Sequence, residues 1–232
     1  DEVALLSPFR DSLPSALFER PFRFPVGGSR TTSNLIEARN LFAAAGWHIQ
    51  DGVLRDAGGE PFTLEFLSGD PANARILLPW FQTLKQLGIE ASIRLLDITQ
   101  YTNRVRRHDH EALVQSNDFL MPPTLELRSN FHSSAANQEG TRNYTGVSHP
   151  AVDHLIERAE SAETLDEMIA ACRALDRVML WQHYLIPLYA YDSRRTVYWD
   201  KFGVPPEPRY RPAYPDGWWY DEAKAARLTM DR

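Results

Sequence analysis

The sequence predicts an α/β fold, and three observations carry that prediction. "PFTLEFLSGD" at 61–70 and "IEASIRLLD" at 89–97 both read as strands, a single helix fits between them, and two amphipathic helices follow from residue 150. Strand, helix, strand is a βαβ unit, which predicts two parallel strands joined by a right-handed crossover. With 232 residues, 43% of them hydrophobic, the chain is long enough for one large domain or two small ones around a true core.

The elements follow in order. From residue 34 the pattern is helical: Asn34 and Glu37 resemble a capping box, Leu35, Ala38, Leu41 and Phe42 share a face, and Gly46 stops the helix. Asp51-Gly52 between two short runs in "WHIQDGVLRD" is a hairpin signal. Phe62, Leu64 and Phe66 alternate with Thr63 and Glu65, so a strand is expected over 61–67. Asp70 caps and Pro71 opens a helix that runs to about Leu87, is kinked at Pro79 and ends at Gly88. After the strand "IEASIRLLD", Asp97 and Gln100 cap a helix to Arg107, and "EALVQS" reads as a third strand. Residues 117–148 are polar and irregular, a long loop of the functional or mobile kind. Helices are expected at 150–161 and 164–182, the second capped by Thr164 and Glu167 and burying Ile169, Cys172, Leu175 and Met179. "HYLIPLYAYD" and "RRTVYWD" read as two closing strands, and beyond Lys201 the chain is rich in proline and aromatic residues.

Charge and composition exclude several classes of function. A net charge of -6, from 25 basic and 31 acidic residues interspersed, argues against a nucleic-acid partner. The one dense basic spot, Arg104, Arg106 and Arg107, falls on the last turn of an expected helix, where it complements the helix dipole. Cys172 is the only cysteine and sits on a core face, so it reads as an inert thiol. No apolar stretch approaches the roughly 20 residues that cross a bilayer. The chain starts in mid-pattern, "DEVALLSPFRDSLPSALFERPF", as expected for a piece of a longer protein whose other parts hold any signal peptide.

Three kinds of chemistry compete for the polar residues. "HDHE" at 108–111 is the sharpest enzyme-like signal: His108 and His110, two apart, can share a metal with Glu111, which would make a metal-dependent hydrolase. Their structural alternative is the wet end of a strand. Ser133, His149 and Asp153 contain the residue types of a triad but lack a nucleophile-elbow motif, and no glycine-rich phosphate loop supports a nucleotide or other cofactor. Capture of an extended peptide instead needs a carboxylate for its ammonium group, a cation for its carboxylate, and amides for its main chain. Asp118 and Asn117 follow the third strand, Asn73 and Arg75 open the helix after the first, and Arg128, Asn143 and Tyr144 lie in the long loop. In open α/β sheets ligands gather outside the carboxyl ends of strands, where these residues fall.

"NLIEARNLFAAAGWHIQDGVLRDAGGEPFTLEFL", "LKQLGIEASIRLLDITQYTNRV", "GTRNYTGVSHPAVDHLIERA" and "RALDRVMLWQHYLIPLYAYDSRRTVYWDKF" together resemble the C-terminal half of family 5 extracellular solute-binding proteins, the peptide-binding components of ABC importers. The likeness is to an oligopeptide-binding subgroup linked to microcin C uptake. It implies the second lobe of a class C (type II) periplasmic binding protein, with a mixed sheet flanked by helices. Residues 1–190 would form the ligand-binding lobe and 191–232 a segment returning to an N-terminal lobe outside this chain. The implied setting is the periplasm, with a peptide as ligand, a membrane permease as partner, and no catalysis. By position, the resemblance gives Asp118 the ligand's ammonium group, although the relatives' Gly-Trp before this aspartate and acidic-Pro after it are replaced in "QSNDFLMPP". Arg75 matches the arginine that takes the ligand's carboxylate in dipeptide binders.

Overall fold

The computed structural model describes residues 2–25, 31–116, 125–189, 196–204 and 217–230. These fall into two compact units: 2–25, 31–116 and 125–185 in the first, and 186–189, 196–204 and 217–230 in the second.

The first unit opens with two short helices, α1 (Glu2–Leu6) and α2 (Ser15–Glu19), followed by α3 (Thr31–Ala44). Helix α3 begins before Asn34, so the expected capping-box pair lies inside the helix. Its Leu35, Ala38 and Phe42 pack onto Leu54, Leu87 and Ile89 as expected, whereas Leu41 points outward at 65% exposure. Strands β1 (His48–Gln50) and β2 (Val53–Arg55) form the antiparallel hairpin. Asp51 and Gly52 both have positive φ, 50° and 80°, the backbone that a two-residue hairpin turn requires.

The βαβ unit is present. β3 (Thr63–Ser68) and β4 (Glu90–Leu95) run parallel, from Thr63 beside Glu90 to Ser68 beside Leu95, joined by α4 (Ala74–Lys85) with Pro79 inside it. Asp70 caps a short 3-10 turn, Pro71–Asn73, rather than α4 itself. After α5 (Ile98–Arg106), β5 (Ala112–Leu113) pairs parallel with the other side of β3, giving the order β4-β3-β5. The antiparallel pairs lie in separate, smaller sheets. Helix α4 covers one face of the parallel sheet, where Leu77 and Phe81 pack on Phe66 with Leu64, Ile93 and Ala112 around them. Gly88, at φ +76°, docks the end of α4 on the hairpin: its carbonyl accepts from Leu54 N at 2.8 Å, and a Cβ at Gly88 would lie 2.6 Å from that nitrogen.

The expected irregular stretch is partly ordered into α6 (Glu126–Phe131) and a 3-10 turn, Ser133–Ala135. Then α7 (Pro150–Glu160) and α8 (Leu165–Trp181) pack against each other, and α8 also packs against α1. Thr164 Oγ1 accepts from Glu167 N, and Glu167 Oε2 accepts from Glu163 N, which staples the start of α8. Its buried face includes Leu175 and Met179 as expected, with Cys172 packed at its edge, and Ile169 is the exception. Ala171, Ala174, Leu175, Val178 and Met179 face the core, while Ile169 is 37% exposed and Cys172 is half-buried. Two alanines on the inner face leave room for α7 to come close.

In the second unit, β6 (Phe202–Gly203) pairs antiparallel with β7 (Trp219–Tyr220), and α9 (Glu222–Met230) follows. Lys224 Nζ ties the helix to Asp200 at 2.9 Å and to the Phe202 carbonyl at 3.0 Å. Residues 185–189 and 196–199 carry no strand, so the two expected closing strands are not formed there; 190–195 lie outside the described residues.

Candidate functional site

The carboxyl edge of the parallel sheet is built around Ser68. This side chain, 1% exposed at the end of β3, donates to the Asp70 carbonyl at 2.8 Å and accepts from Asp70 N at 3.2 Å and Asn73 Nδ2 at 3.1 Å. Asp70 Oδ1 accepts from Ala72 N at 2.8 Å. Asn73 therefore spends its amide on holding the strand-to-helix turn. Two positions on, Arg75 is exposed on the first turn of α4, with no hydrogen bond or ion pair among the described residues. At the end of β4, Asp97 Oδ1 accepts from Thr99 N and Gln100 N, both at 3.0 Å, so a second helix starts at the same edge.

Tyr101, on α5, lies over Gly69, where a Cβ would meet its ring at 2.9 Å; no other residue fits there without displacing the ring. Burial pushes the Tyr101 phenol up, and the neighbouring Tyr144 adds to the shift. Tyr144 is half-buried, and its carbonyl faces His110 Nε2 at 3.2 Å. Asn143 is wholly buried: its Nδ2 donates to the carbonyls of Val147 at 2.8 Å and His132 at 3.2 Å, and its Oδ1 accepts from Val147 N at 2.8 Å. It orders the loop from inside. Arg128 is engaged by Glu160 through two prongs, Nε to Oε1 at 3.0 Å and Nη2 to Oε2 at 2.6 Å, linking α6 to α7. Asn117 and Asp118 lie outside the described residues. The structure thus leaves Arg75 open, gives Asn73, Asn143 and Arg128 internal partners, and brings Tyr144 near enough to Tyr101 for their phenols to influence each other. Tyr101 was missed in the sequence, where only Gly69 directly after a strand hinted at a close approach.

The histidines of "HDHE" have other work. His108, at φ 54°, is the left-handed residue that ends α5: its N–H bonds to the Val105 carbonyl at 3.1 Å and Asp109 N to the Arg104 carbonyl at 3.0 Å. His108 Nε2 meets the Gln138 carbonyl at 3.3 Å, and Glu111 Oε2 accepts from Glu65 N at 2.7 Å, filling the ladder position that β5 is too short to reach. Among the described residues no group of three or more His, Cys, Asp or Glu is placed to hold a metal ion. These side chains line an open groove of about 640 Å³ on the sheet face opposite α4, with Thr63, Glu65, Glu90, Ser92, Arg104 and Asp109. The triad residues also separate. Ser133 Oγ donates directly to Asp153 Oδ2, whereas His149 caps α7 through Ala151 N and meets the Ser12 carbonyl at 3.3 Å. A serine whose hydroxyl is spent on a carboxylate, with no imidazole bonded to it among the described residues, is a clamp and not a nucleophile.

Comparison with known proteins places this geometry. Residues 9–139, more than half of the chain, match the family described as bacterial extracellular solute-binding proteins, family 5 Middle. A probable peptide-binding protein, YejA, from Agrobacterium fabrum is 35% identical over 227 residues, covering 96% of this chain and 37% of its own length. YejA of Escherichia coli is 34% identical over 234 residues, covering 98% and 38%. The chain therefore spans little more than a third of these relatives. Among solved structures, the oligopeptide-binding protein AppA of Bacillus subtilis in complex with a nonapeptide superposes with a TM-score of 0.59 at 17% identity, over 95% of this chain and 45% of that one. An oligopeptide-binding protein of Thermus thermophilus complexed with a pentapeptide gives 0.56 at 19%, over 81% and 35%. Likeness at that identity establishes the α/β fold of such receptors, and among the described residues no helix is long and apolar enough to cross a membrane. On the family match, the chain belongs to the bacterial extracellular solute-binding proteins, family 5.

Proposed function

We propose that this chain is the C-terminal portion of a periplasmic receptor that captures oligopeptides and delivers them to the membrane permease of an ABC importer. The family match carries the reading, and the relatives described as peptide-binding favour peptides over other solutes. On this reading Arg75 takes a ligand carboxylate at the carboxyl edge of the sheet, and Asp118, with Asn117 beside it, takes the ammonium group. Tyr144 faces the ligand, and Asn73, Asn143 and Arg128 hold that surface in shape. Residues 1–190 form the lobe and 191–232 pack on the part of the receptor outside this chain. Trp199, Trp219 and Tyr220, at 68%, 52% and 59% exposure, support that division, because such apolar surface favours a partner. On this reading the receptor is not an enzyme: the hydrolase alternative needs His108, His110 and Glu111 to converge on one metal ion, whereas one polar atom of each meets a main-chain group and, among the described residues, they form no group placed to hold a metal.

Titration calorimetry tests the reading. One peptide, identified by mass spectrometry as co-purifying with the full-length receptor, is titrated into that receptor and into the 232-residue chain. An ammonium–carboxylate pair contributes about 0 to 1 kcal/mol in water and about 2 to 5 kcal/mol when desolvated between two lobes. The chain alone should therefore bind about a hundredfold or more weakly. Equal affinities would remove the two-lobe mechanism. Stoichiometric zinc together with hydrolysis of the peptide would restore the enzyme.

A further inference from the structure

The turn that ends α5 is fastened to the 138–144 stretch at three points. Gly140 N donates to the Arg106 carbonyl at 3.0 Å, His108 Nε2 meets the Gln138 carbonyl at 3.3 Å, and His110 Nε2 meets the Tyr144 carbonyl at 3.2 Å. The last differs from the others in its ring. A carbonyl only accepts, so His110 carries its proton on Nε2, and its Nδ1 is buried without any hydrogen-bond partner. In the neutral ring that atom is an idle lone pair; in the cation it becomes an N–H with no acceptor, in a place that water does not reach.

We propose that His110 is a pH-sensitive latch: the neutral imidazole fastens the 138–147 loop to the sheet, and protonation on acidification releases it. Arg104 of α5 and His108 of the turn oppose a second positive charge. Asp109 favours one, but it is held by Arg104 at 2.9 Å. Glu111 is occupied by Glu65 N, and Glu65 itself pairs with Arg94 at 3.5 Å. Glu90 lines the same groove from β4. Burial pushes the His110 imidazole below the usual histidine range; His108 and Arg104 add to the shift, while the Tyr144 carbonyl and Asp109 oppose it.

The direction of the effect follows from linkage. Where the folded ring holds its proton less tightly than the unfolded ring, the unfolded state binds more protons as pH falls below about 6.5, and stability falls with it. The latch is therefore closed above that pH and opens as pH drops toward the lowered folded value. The imidazolium can still donate from Nε2, so it is the unpartnered Nδ1–H, moving out to find water, that draws the ring away; the Tyr144 carbonyl then loses its donor, and the effect begins at Tyr144 and reaches Gly140 and Gly146 through the same loop.

Hydrogen exchange of peptides spanning 138–147 in the intact protein, read by mass spectrometry at about pH 5 and about pH 7.5 and corrected for intrinsic exchange, tests the latch. In the wild type, corrected exchange should be about tenfold or more faster at the lower pH. His110→Gln keeps an N–H donor near the Nε2 position but does not titrate, so it should remove the pH step. His108→Gln should retain the step. An equal corrected rate at both pH values in the wild type, a step that persists in His110→Gln, or one that disappears in His108→Gln would each overturn the proposal. Should His110→Gln fail to fold, the wild type and His108→Gln decide the matter without it.

Discussion

The helical part and the sheet part of the first unit are held together in different ways. Helices α1, α2, α7 and α8 enclose one continuous core in which Leu6, Leu17, Val147, Val152, Leu155, Ile156 and Val178 are 0% exposed. The sheet part has two small clusters of three buried residues each, Leu54–Leu87–Ile89 and Phe66–Leu77–Phe81, rimmed by half-buried aromatics such as Trp47, Phe62 and Trp80. One face of the sheet is sealed by α4, and the other carries Thr63, Glu65, Glu90 and Ser92 along an open groove. The lesson is a division of labour. Non-directional apolar burial carries the helical part, while the sheet part keeps its strand ends and one face available and is held in shape by specific hydrogen bonds.

Cavity formation gives the largest expected effect and the sharpest test of that contrast. Leu155→Ala empties a site walled on all sides by rigid helices, and should cost about 4 to 5 kcal/mol in denaturant unfolding. Leu77→Ala, from a 2%-exposed side chain in a three-residue cluster, leaves a site whose half-buried neighbours can move in, and should cost about 2 to 3 kcal/mol. Equal losses would mean that the sheet clusters are as tightly packed as the helical core, and the contrast would fail.

A smaller effect is expected where polar groups do the ordering. Asn143→Ala strips partners from Val147 N–H, the Val147 carbonyl and the His132 carbonyl, in a place with no exposure at residue 143. Leaving such groups buried and unpaired costs about 1 to 3 kcal/mol. Thermal unfolding of Asn143→Ala beside Asn143→Asp separates the contributions, since the aspartate keeps the acceptor for Val147 N–H and loses both donors. Identical destabilisation by the two would show that the acceptor retained by aspartate contributes nothing, and the bond to Val147 N–H would lose its ordering role.

What was legible in the sequence follows the range of the interactions. The caps at Asp97 and Thr164 are set by residues three positions apart, the hairpin by its two turn residues, and the βαβ order by a succession of locally patterned segments, and all were read correctly. The start of α3, the outward Leu41 and the outward Ile169 of α8 were not, because packing against distant partners decides which side of a helix is buried. The histidines show the same limit from the site's side. His108 and His183 end α5 and α8 in the left-handed conformation that Gly46 and Gly88 provide after α3 and α4, a helix stop that is visible when glycine supplies it and hidden when histidine does. A motif suggestive of metal was in large part the end of a helix. For Asn143, the polar loop could be seen but not the inward turn of its amide, since that depends on a carbonyl at residue 132 and a main chain at residue 147.

The smallest effect concerns Arg128, which is a ligand candidate by sequence and joins α6 to α7 in the fold. Its two-pronged contact with Glu160 has good geometry, but the side chains are 38% and 24% exposed, so water screens both charges. The helical core beneath does not depend on them, since Leu127, Leu155 and Ala159 are buried on the same two helices. A double-mutant cycle of Arg128→Ala and Glu160→Ala should therefore give a coupling energy of no more than about 1 kcal/mol, falling further in high salt. The bidentate fork puts the expected value at the upper end of the range for exposed pairs. A coupling of about 3 kcal/mol or more would mean that the pair is effectively desolvated and carries the α6–α7 junction. Directed polar contacts would then stabilise the helical part as they do the sheet part, and the contrast between the two would narrow to the core alone.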